Sequence, residues 1–342
     1  MNLRGHLLYI DITQICGIGC EFCMYADKHK SGMSMELSPR AIENLASLIN
    51  SPDVKRISVS GEGEPLNNTQ VFHQILGLSR GGNAFEFITS GFFPHDKLEA
   101  FYERTHTQIK ANGDTCNIRL SSDSHHIEKI RHRPHGFSIA FLQNRKAEGL
   151  TFSFRSVDTD RAFTQGYLVE ELSHWGLDAK IEMRGALEDV LIVDNQAFSV
   201  DYKNLVYPAL NTPLGYLDLK GYISAIEEKT LKPFTLGSIN KAPQENGLDV
   251  TIKPNGDVFF YGIENKRIGN IHVDEIVWEQ LSQHAEETPL IRALYTRSFI
   301  DLIDQLKDDK LTQSILATVN NPYWVVKAMA RHDGLLEKMI AP

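Results

Sequence analysis

Three of the four cysteines in this 342-residue chain fall within eight residues, in the run Cys16-Gly17-Ile18-Gly19-Cys20-Glu21-Phe22-Cys23. Thiolates bind soft metals and iron–sulfur clusters, and a Cys-x3-Cys-x2-Cys loop is short enough for all three to wrap one centre. A [4Fe–4S] cluster normally takes four cysteines, so three from one loop leave one iron open to a ligand that is not protein. Gly17 and Gly19 allow backbone turns that other residues resist. Two other readings stand beside this one. A zinc knuckle needs a fourth ligand; no cysteine pair follows downstream, and His29 is the neighbouring candidate. The three cysteines can also be unrelated structural residues. Cys116 is the leftover thiol, and the spacing is that of a metal or cluster site in a reducing compartment rather than of a disulfide framework.

Further groups with chemical potential sit in or after predicted strands. Ser60-Gly61-Glu62-Gly63-Glu64-Pro65 is a flexible acidic turn, able to bring carbonyls and a carboxylate to an ammonium, or to serve only as a turn. Ser121-Ser122-Asp123 offers hydroxyls and a carboxylate, or a helix cap. Ser153 and Arg155 lie two residues apart, hence on one face of a strand. A guanidinium there grips a carboxylate with two prongs or forms a structural ion pair. His125 and His126 line a pocket as proton donors or open a polar helix.

These groups need a scaffold, and the sequence supplies alternating strands and helices. Leu7 to Thr13 reads as a first strand that ends just before Cys16. Ser38 and Pro39 open a helix with Ile42, Leu45, Leu48 and Ile49 at helical spacing. Further strands are predicted over 56–60, 85–89, 117–121, 151–157 and 179–183, with helices over 70–78, 97–104, 139–147 and 164–175. Six strands alternating with helices predict a parallel sheet, and right-handed crossovers curl it toward a barrel. Near residue 190 the pattern changes. Asp194-Asn195 turns a hairpin between 190–193 and 198–200, and Pro254-Asn255-Gly256-Asp257 turns another between 250–252 and 258–261. The chain then reads as helical after about 274. The expected fold is α/β: a partial (β/α)6 parallel barrel over 1–190, a small β-hairpin extension over 191–274, and a C-terminal helical region over 275–342.

The cysteine loop directly after strand one, with Phe22 before its third cysteine, resembles the motif of the radical S-adenosylmethionine (SAM) superfamily. The resemblance implies a [4Fe–4S] cluster on Cys16, Cys20 and Cys23, with SAM chelating the open iron through its amino and carboxylate groups. It implies reductive cleavage of SAM to methionine and a 5′-deoxyadenosyl radical, which abstracts hydrogen from a substrate. The turn Gly61, Glu62, Gly63, Glu64 is similar to the family's Gly-Gly-Glu-type motif for the SAM ammonium, with the better match on Gly63-Glu64-Pro65. By the same resemblance Ser121, Asp123, Ser153 and Arg155 face the ribose or carboxylate of SAM, and Thr89-Ser90-Gly91 shapes the mouth. A reductant such as flavodoxin or ferredoxin is the implied partner. The hairpin at 249–261 and Gly269-Asn270 are similar to a SPASM or twitch extension. No cysteine follows Cys116, however, and Tyr261 stands where an auxiliary-cluster ligand would, so no second cluster is expected. Some radical SAM epimerases return a hydrogen atom from a cysteine. Cys116 begins strand four, remote from the mouth, and reads instead as a small buried hydrophobe.

Charge and composition narrow the partners. The net charge of −9 argues against a nucleic-acid substrate, because phosphate binding draws on a basic surface, and the densest basic run is only Lys129 to Arg133. No apolar run is long enough for a membrane span, and the N-terminus lacks a signal peptide's apolar core, so a cytoplasmic protein is expected. Strand one begins within the first ten residues, which sets the expectation against an N-terminal peptide-recognition domain. Asn320 to Trp324 reads as aromatic helix packing. The expected function is a radical SAM enzyme acting on a small polar metabolite such as a sugar, nucleoside or antibiotic precursor. Epimerisation, dehydration, rearrangement and oxidation all remain open. A maturase acting on a peptide is the enzyme alternative, and a non-catalytic Fe–S or zinc-binding module is the alternative from another class.

Overall fold

The computed structural model describes residues 5–20, 23, 25, 35–204, 206, 215–237, 242–243 and 245–340. Phe22 and His29 lie outside the described residues. The strands are β1 (His6–Asp11), β2 (Val54–Ser60), β3 (Ala84–Thr89), β4 (Thr115–Ser121), β5 (Leu150–Val157), β6 (Ala179–Gly185), β7 (Glu188–Val193), β8 (Gln196–Lys203), β9 (Asp249–Ile252), β10 (Asp257–Phe260) and β11 (Gly269–Asn270). They join in one sheet, ordered β11-β10-β9-β1-β2-β3-β4-β5-β8-β7-β6, whose two edges stay apart. The run from β9 through β1 to β5 and on to β8 is parallel throughout. The flanking strands are antiparallel. The chain is thus α/β, with an open parallel barrel at its centre, a C-terminal hairpin and helices.

Helices form where the sequence places apolar residues three and four apart. In Pro39–Ile49 the Ser38 hydroxyl accepts from the Ala41 N–H at 3.2 Å, and Ile42, Leu45, Leu48 and Ile49 are buried. After β11 come the helices Trp278–Glu287, Pro289–Thr296, Phe299–Asp304, Lys310–Leu316 and Pro322–Met329. They close back on the first strand. Trp278 stacks on His6 at 4.1 Å and donates its indole N–H to the Leu48 carbonyl at 2.9 Å. Among the described residues no helix is long and apolar enough to cross a membrane.

One strand changes place relative to the sequence reading. The segment expected as the sixth parallel strand forms β6, but it pairs antiparallel with β7 at the sheet edge. The sixth parallel strand after β1–β5 is β8, the second half of the hairpin, which lies against β5. The physical reason is burial. Val200 and Tyr202 of β8 are buried, whereas β6 is largely exposed and carries Lys180, Glu182 and Arg184, charges that suit an edge. Asp194 and Asn195 take φ of 46° and 69°, the left-handed pair that a two-residue hairpin turn requires.

The two faces of the parallel sheet differ sharply. Registered neighbours Ile57, Phe85 and Cys116 share the outer face, and with Val59, Phe87, Ile118 and Phe154 they pack into the hydrophobic core. Registered neighbours Thr251, Tyr9, Ser58 and Glu86 share the inner face, as do Ser121, Arg155 and Asp201 farther along. Parallel sheets covered by helices on both faces read as continuous apolar runs. Here the strands alternate, so the inner face holds something polar.

Candidate active site

At the C-terminal ends of these strands lies one cavity, and Cys16, Cys20 and Cys23 line it together. All three thiols are half-buried. The Cys23 N–H bonds the Cys20 carbonyl at 3.2 Å. Burial pushes the Cys16 and Cys23 thiols up, which favours occupancy by a positive centre over free thiolates. Among the described residues no three His, Cys, Asp or Glu side chains close on a point as a single metal ion would require.

The acidic turn after β2 is zipped to the segment that leads into Cys16. The Gly63 N–H bonds the Thr13 carbonyl at 3.0 Å and the Glu64 N–H bonds the Ile15 carbonyl at 2.9 Å. A Cβ on Gly63 would stand 2.2 Å from the Ile15 carbonyl oxygen, so only glycine allows this approach. Gly61, Glu62, Gly63 and Glu64 all line the cavity. Glu64 is buried and its carboxylate accepts from the Leu66 N–H at 3.1 Å, the Ser90 N–H at 2.9 Å, the Ser90 hydroxyl at 2.6 Å and the Thr89 hydroxyl. Thr89 and Ser90 therefore hold Glu64 in place as well as shaping the mouth.

Across the cavity stand Ser121, Arg155, Arg119 and Lys203. Arg119 pairs with Glu86 at 3.0 Å and Arg155 with Asp201 at 3.5 Å. The Nε atoms of both arginines, and the Thr251 hydroxyl, are buried without a hydrogen-bond partner among the described residues. Burial, with Arg155 and Arg119 adding to it, pushes Lys203 down to about 8. Ser153 lies deeper, accepting from Asn117 at 2.7 Å, and does not line the cavity. Asp123 also stands off the lining. It caps the short helix Ser124–Ile127 and holds His126 Nδ1 at 2.8 Å. His126 does reach the cavity. Burial opposes its charge, but Asp123 and a hydrogen bond with Cys20 overcome this and raise it to about 10. His125 does not line the cavity.

The remaining wall comes from the C-terminal hairpin and helices. Tyr261 meets Tyr9 edge-on at 5.5 Å and Tyr323 at 4.9 Å. Trp324 lies 6.4 Å from Tyr25 and carries the Lys327 ammonium over its ring at 4.3 Å. Tyr323 does pack as expected, with its hydroxyl on the Leu236 carbonyl, but both it and Trp324 also face the cavity. At the centre of this wall is Lys253, whose Nζ lies 3.1 Å from Asp11, 3.4 Å from Glu62 and 2.9 Å from Glu264. Burial opposes Lys253's charge, yet Asp11, Glu264 and Glu62 hold its pKa well above the ordinary lysine range. Burial likewise works against Glu264, but Lys253 and Lys327 hold it down to about 2.

Sequence reasoning missed Tyr9, Asp11, Arg119, Lys203, Lys253, Glu264 and Lys327. The first five were within reach, because each occupies the polar phase of an alternating strand or its immediate end. The cavity as built suits a zwitterion beside a cluster of three thiolates. One side offers the Glu64 carboxylate, for which no cation stands within ion-pair distance among the described residues. The other offers unpartnered guanidinium N–H groups.

Comparison with known proteins agrees with this geometry. No curated protein is significantly similar in sequence. In fold the chain is similar to native anSMEcpe with bound AdoMet and Cp18Cys peptide, at a TM-score of 0.50 and 15% identity over 84% of this chain and 83% of that one. It is also similar to His6-tagged anSMEcpe with bound AdoMet, at a TM-score of 0.51 and 14% identity, again over 84% and 83%. BtrN in complex with AdoMet and 2-DOIA aligns at a TM-score of 0.40 and 13% identity, over 86% and 89%. At such identities the likeness is one of fold. Residues 10–149 match the model of the Radical SAM superfamily, whose members use a [4Fe–4S] cluster and SAM, and the spacing of Cys16, Cys20 and Cys23 fits its Cys-x3-Cys-x2-Cys motif.

Proposed function

We propose that Cys16, Cys20 and Cys23 hold the [4Fe–4S] cluster and that the chain is a SAM-cleaving enzyme acting on a small polar metabolite, of the class of sugars, nucleosides or antibiotic precursors. The observation that carries the reading is the convergence of three thiols, the acidic turn and Arg155 on one cavity at the C-terminal ends of a parallel sheet. Bound there, the cluster and SAM supply an electron and a carbon-centred radical able to take hydrogen from a C–H bond. The chain's own residues do the rest. Glu64, fixed by Thr89 and Ser90, presents a rigid negative charge to the SAM ammonium. Arg155, steadied by Asp201, and Ser121 beside it face the carboxylate end. Gly61 and Gly63 let the backbone come close. Asp123 and Ser153 act from behind, one through His126 and the other through Asn117.

The far wall supports a small, polar substrate. Tyr261, Tyr323 and Trp324 offer flat apolar surfaces that exclude water, while Glu264 and Lys327 offer hydrogen bonds at the edge. We read the core as 1–190, with the extension 191–274 lending it the sixth parallel strand and the helices of 275–342 closing the wall. A flavodoxin or ferredoxin in the cytoplasm is the reductant that suits such a centre.

Anaerobic reconstitution tests the reading. The protein should take up about four irons and four sulfides per chain, as a single cluster by Mössbauer spectroscopy, and each Cys→Ala change at 16, 20 or 23 should abolish it. With a strong reductant, it should convert SAM to methionine and 5′-deoxyadenosine. Stoichiometric zinc without sulfide would overturn the assignment, and a second cluster would overturn the reading of the C-terminal hairpin.

A further inference from the structure

The two carboxylates of the acidic turn, Glu62 and Glu64, stand two residues apart in different surroundings. Glu62 has a cation beside it: Lys253 Nζ lies 3.4 Å from one oxygen, and Gln14 Nε2 donates to the other at 2.8 Å. Glu64 is hydrogen-bonded on every side by neutral groups, and among the described residues it has no cation partner. Both are buried, and both line the same cavity. A fixed negative charge in a low-dielectric wall attracts an incoming ammonium far more strongly than one already paired.

The cation beside Glu62 comes from elsewhere in the chain. Lys253 sits at the turn of the β9–β10 hairpin, 191 residues beyond Glu62 in sequence, and its side chain is 8% exposed. Its backbone is fixed on both sides, by the Lys253 N–H to the Asp257 carbonyl at 2.9 Å and the Gly256 N–H to the Lys253 carbonyl at 2.8 Å. An ammonium has three donors. Asp11 of β1, Glu62 of the turn and Glu264 beyond the hairpin supply three carboxylates to meet them. The hairpin thus reaches across β1, its parallel neighbour, and silences one of the turn's two carboxylates.

We propose that Lys253 is a positioning residue that assigns the SAM ammonium to Glu64, by occupying Glu62 with its own ammonium, and so makes SAM recognition depend on the C-terminal hairpin. The proposal rests on the reading of this cavity as the SAM site. Without Lys253, Glu62 loses that ammonium and competes more strongly for the one on SAM.

The test is equilibrium binding of SAM to the reconstituted holoprotein. In the wild-type background Glu64→Gln should weaken binding at least about tenfold, the scale of a lost charge-assisted hydrogen bond, and Glu62→Gln by less than about threefold. In a Lys253→Met background the cost of Glu64→Gln should shrink below about threefold, and Glu62→Gln should acquire a cost. Lys253→Arg should keep the wild-type pattern. An identical Glu64→Gln ratio in the Met and Lys backgrounds overturns the proposal. If Lys253→Met does not hold its cluster, the wild-type pair decides alone: equal costs for Glu62→Gln and Glu64→Gln overturn it. A wild-type holoprotein that binds no SAM at all fails earlier, at the reading of the cavity itself.

Discussion

The outer face of the parallel sheet is built for stability, and the inner face for binding. On the outer face Phe87 is fully buried, with Phe72 at 4.5 Å and Phe101 at 4.9 Å, and Val59, Ile118 and Leu120 beside it are equally closed to water. On the inner face the same strands carry Asp11, Glu86 and Arg119, buried, and Tyr9 and Arg155, half-buried, with ion pairs among their charged groups. Burying a charge is costly, and a paired buried charge is rarely better for stability than an apolar residue of the same size. A sheet that accepts such residues along one face has a use for them other than stability. The difference teaches how to sort residues in this molecule: by strand phase, before any question of chemistry.

The sharpest break of this division is a cut on the outer face. Phe87→Ala should lower unfolding stability by about 3–5 kcal/mol, from lost transfer energy plus the cavity left among Phe72 and Phe101. Chemical denaturation of the apoprotein measures it. At a temperature where the variant remains folded, its iron content and SAM affinity should match the wild type. A loss of SAM affinity out of proportion to the folded fraction would show that the two faces are not separable.

The comparison also explains what could be read in the sequence. The family motif was legible because its three cysteines are local, as were β1 to β5, whose strand and helix patterns alternate cleanly. The placement of β8 beside β5 was not, because hairpin chemistry at Asp194-Asn195 reveals a turn and says nothing of which half meets the barrel. Lys253 illustrates a different limit. Its three carboxylates come from positions 11, 62 and 264, and no local pattern joins them. Arg119 is the instructive miss. In Thr-Cys-Asn-Ile-Arg-Leu-Ser the polar residues keep strict alternation, which in a parallel strand already marks a polar interior.

A second prediction sharpens the division, since one polar strut crosses from the outer layer to the inner. His135 is fully buried in the helix His135–Arg145. Its Nε2 donates to the Ser121 carbonyl at 3.1 Å, and its Nδ1 lies 2.8 Å from the Tyr167 hydroxyl, which can donate to the neutral ring. Burial pushes its pKa down to about 3. The folded value lies below the unfolded one, near 6.5, so this contribution is fully present above the unfolded value. It is lost as pH falls from about 6.5 toward 3, where the unfolded chain binds a proton that the folded chain refuses. The slope is about 1.4 kcal/mol per pH unit for this one group. His73, pushed down to about 4 mainly by burial, adds a second slope in part of the same window. Denaturation curves at pH 7 and pH 5 should therefore separate by about 2 kcal/mol more in the wild type than in His135→Gln. Equal separation would mean that His135 takes up its proton in the folded state.

The smallest expected effect concerns Cys116, the thiol outside the cluster loop. A cysteine that returns hydrogen to a substrate radical must approach it within a few ångströms, as any near-attack geometry requires. Cys116 fails on two counts. It lies near the start of β4, five residues before Ser121, which at roughly 3.3 Å per residue is about 16 Å from the mouth. Its register with Phe85 and Leu150 also puts it on the outer face, where it is 1% exposed within the hydrophobic core. Burial, reinforced by Glu86 and Asp114, pushes its thiol far above the ordinary range, so it behaves as a small apolar group. Cys116→Ala should accordingly assemble the same cluster, bind and cleave SAM as the wild type does, and lose only about 1 kcal/mol of stability to a small cavity. Iron and sulfide analysis, SAM cleavage and a denaturation curve check the three parts separately. A variant that cleaves SAM normally yet accumulates a substrate radical by electron paramagnetic resonance would make Cys116 the hydrogen donor. The outer face would then have to reach the chemistry, and the division between the two faces would fail at the one residue capable of crossing it.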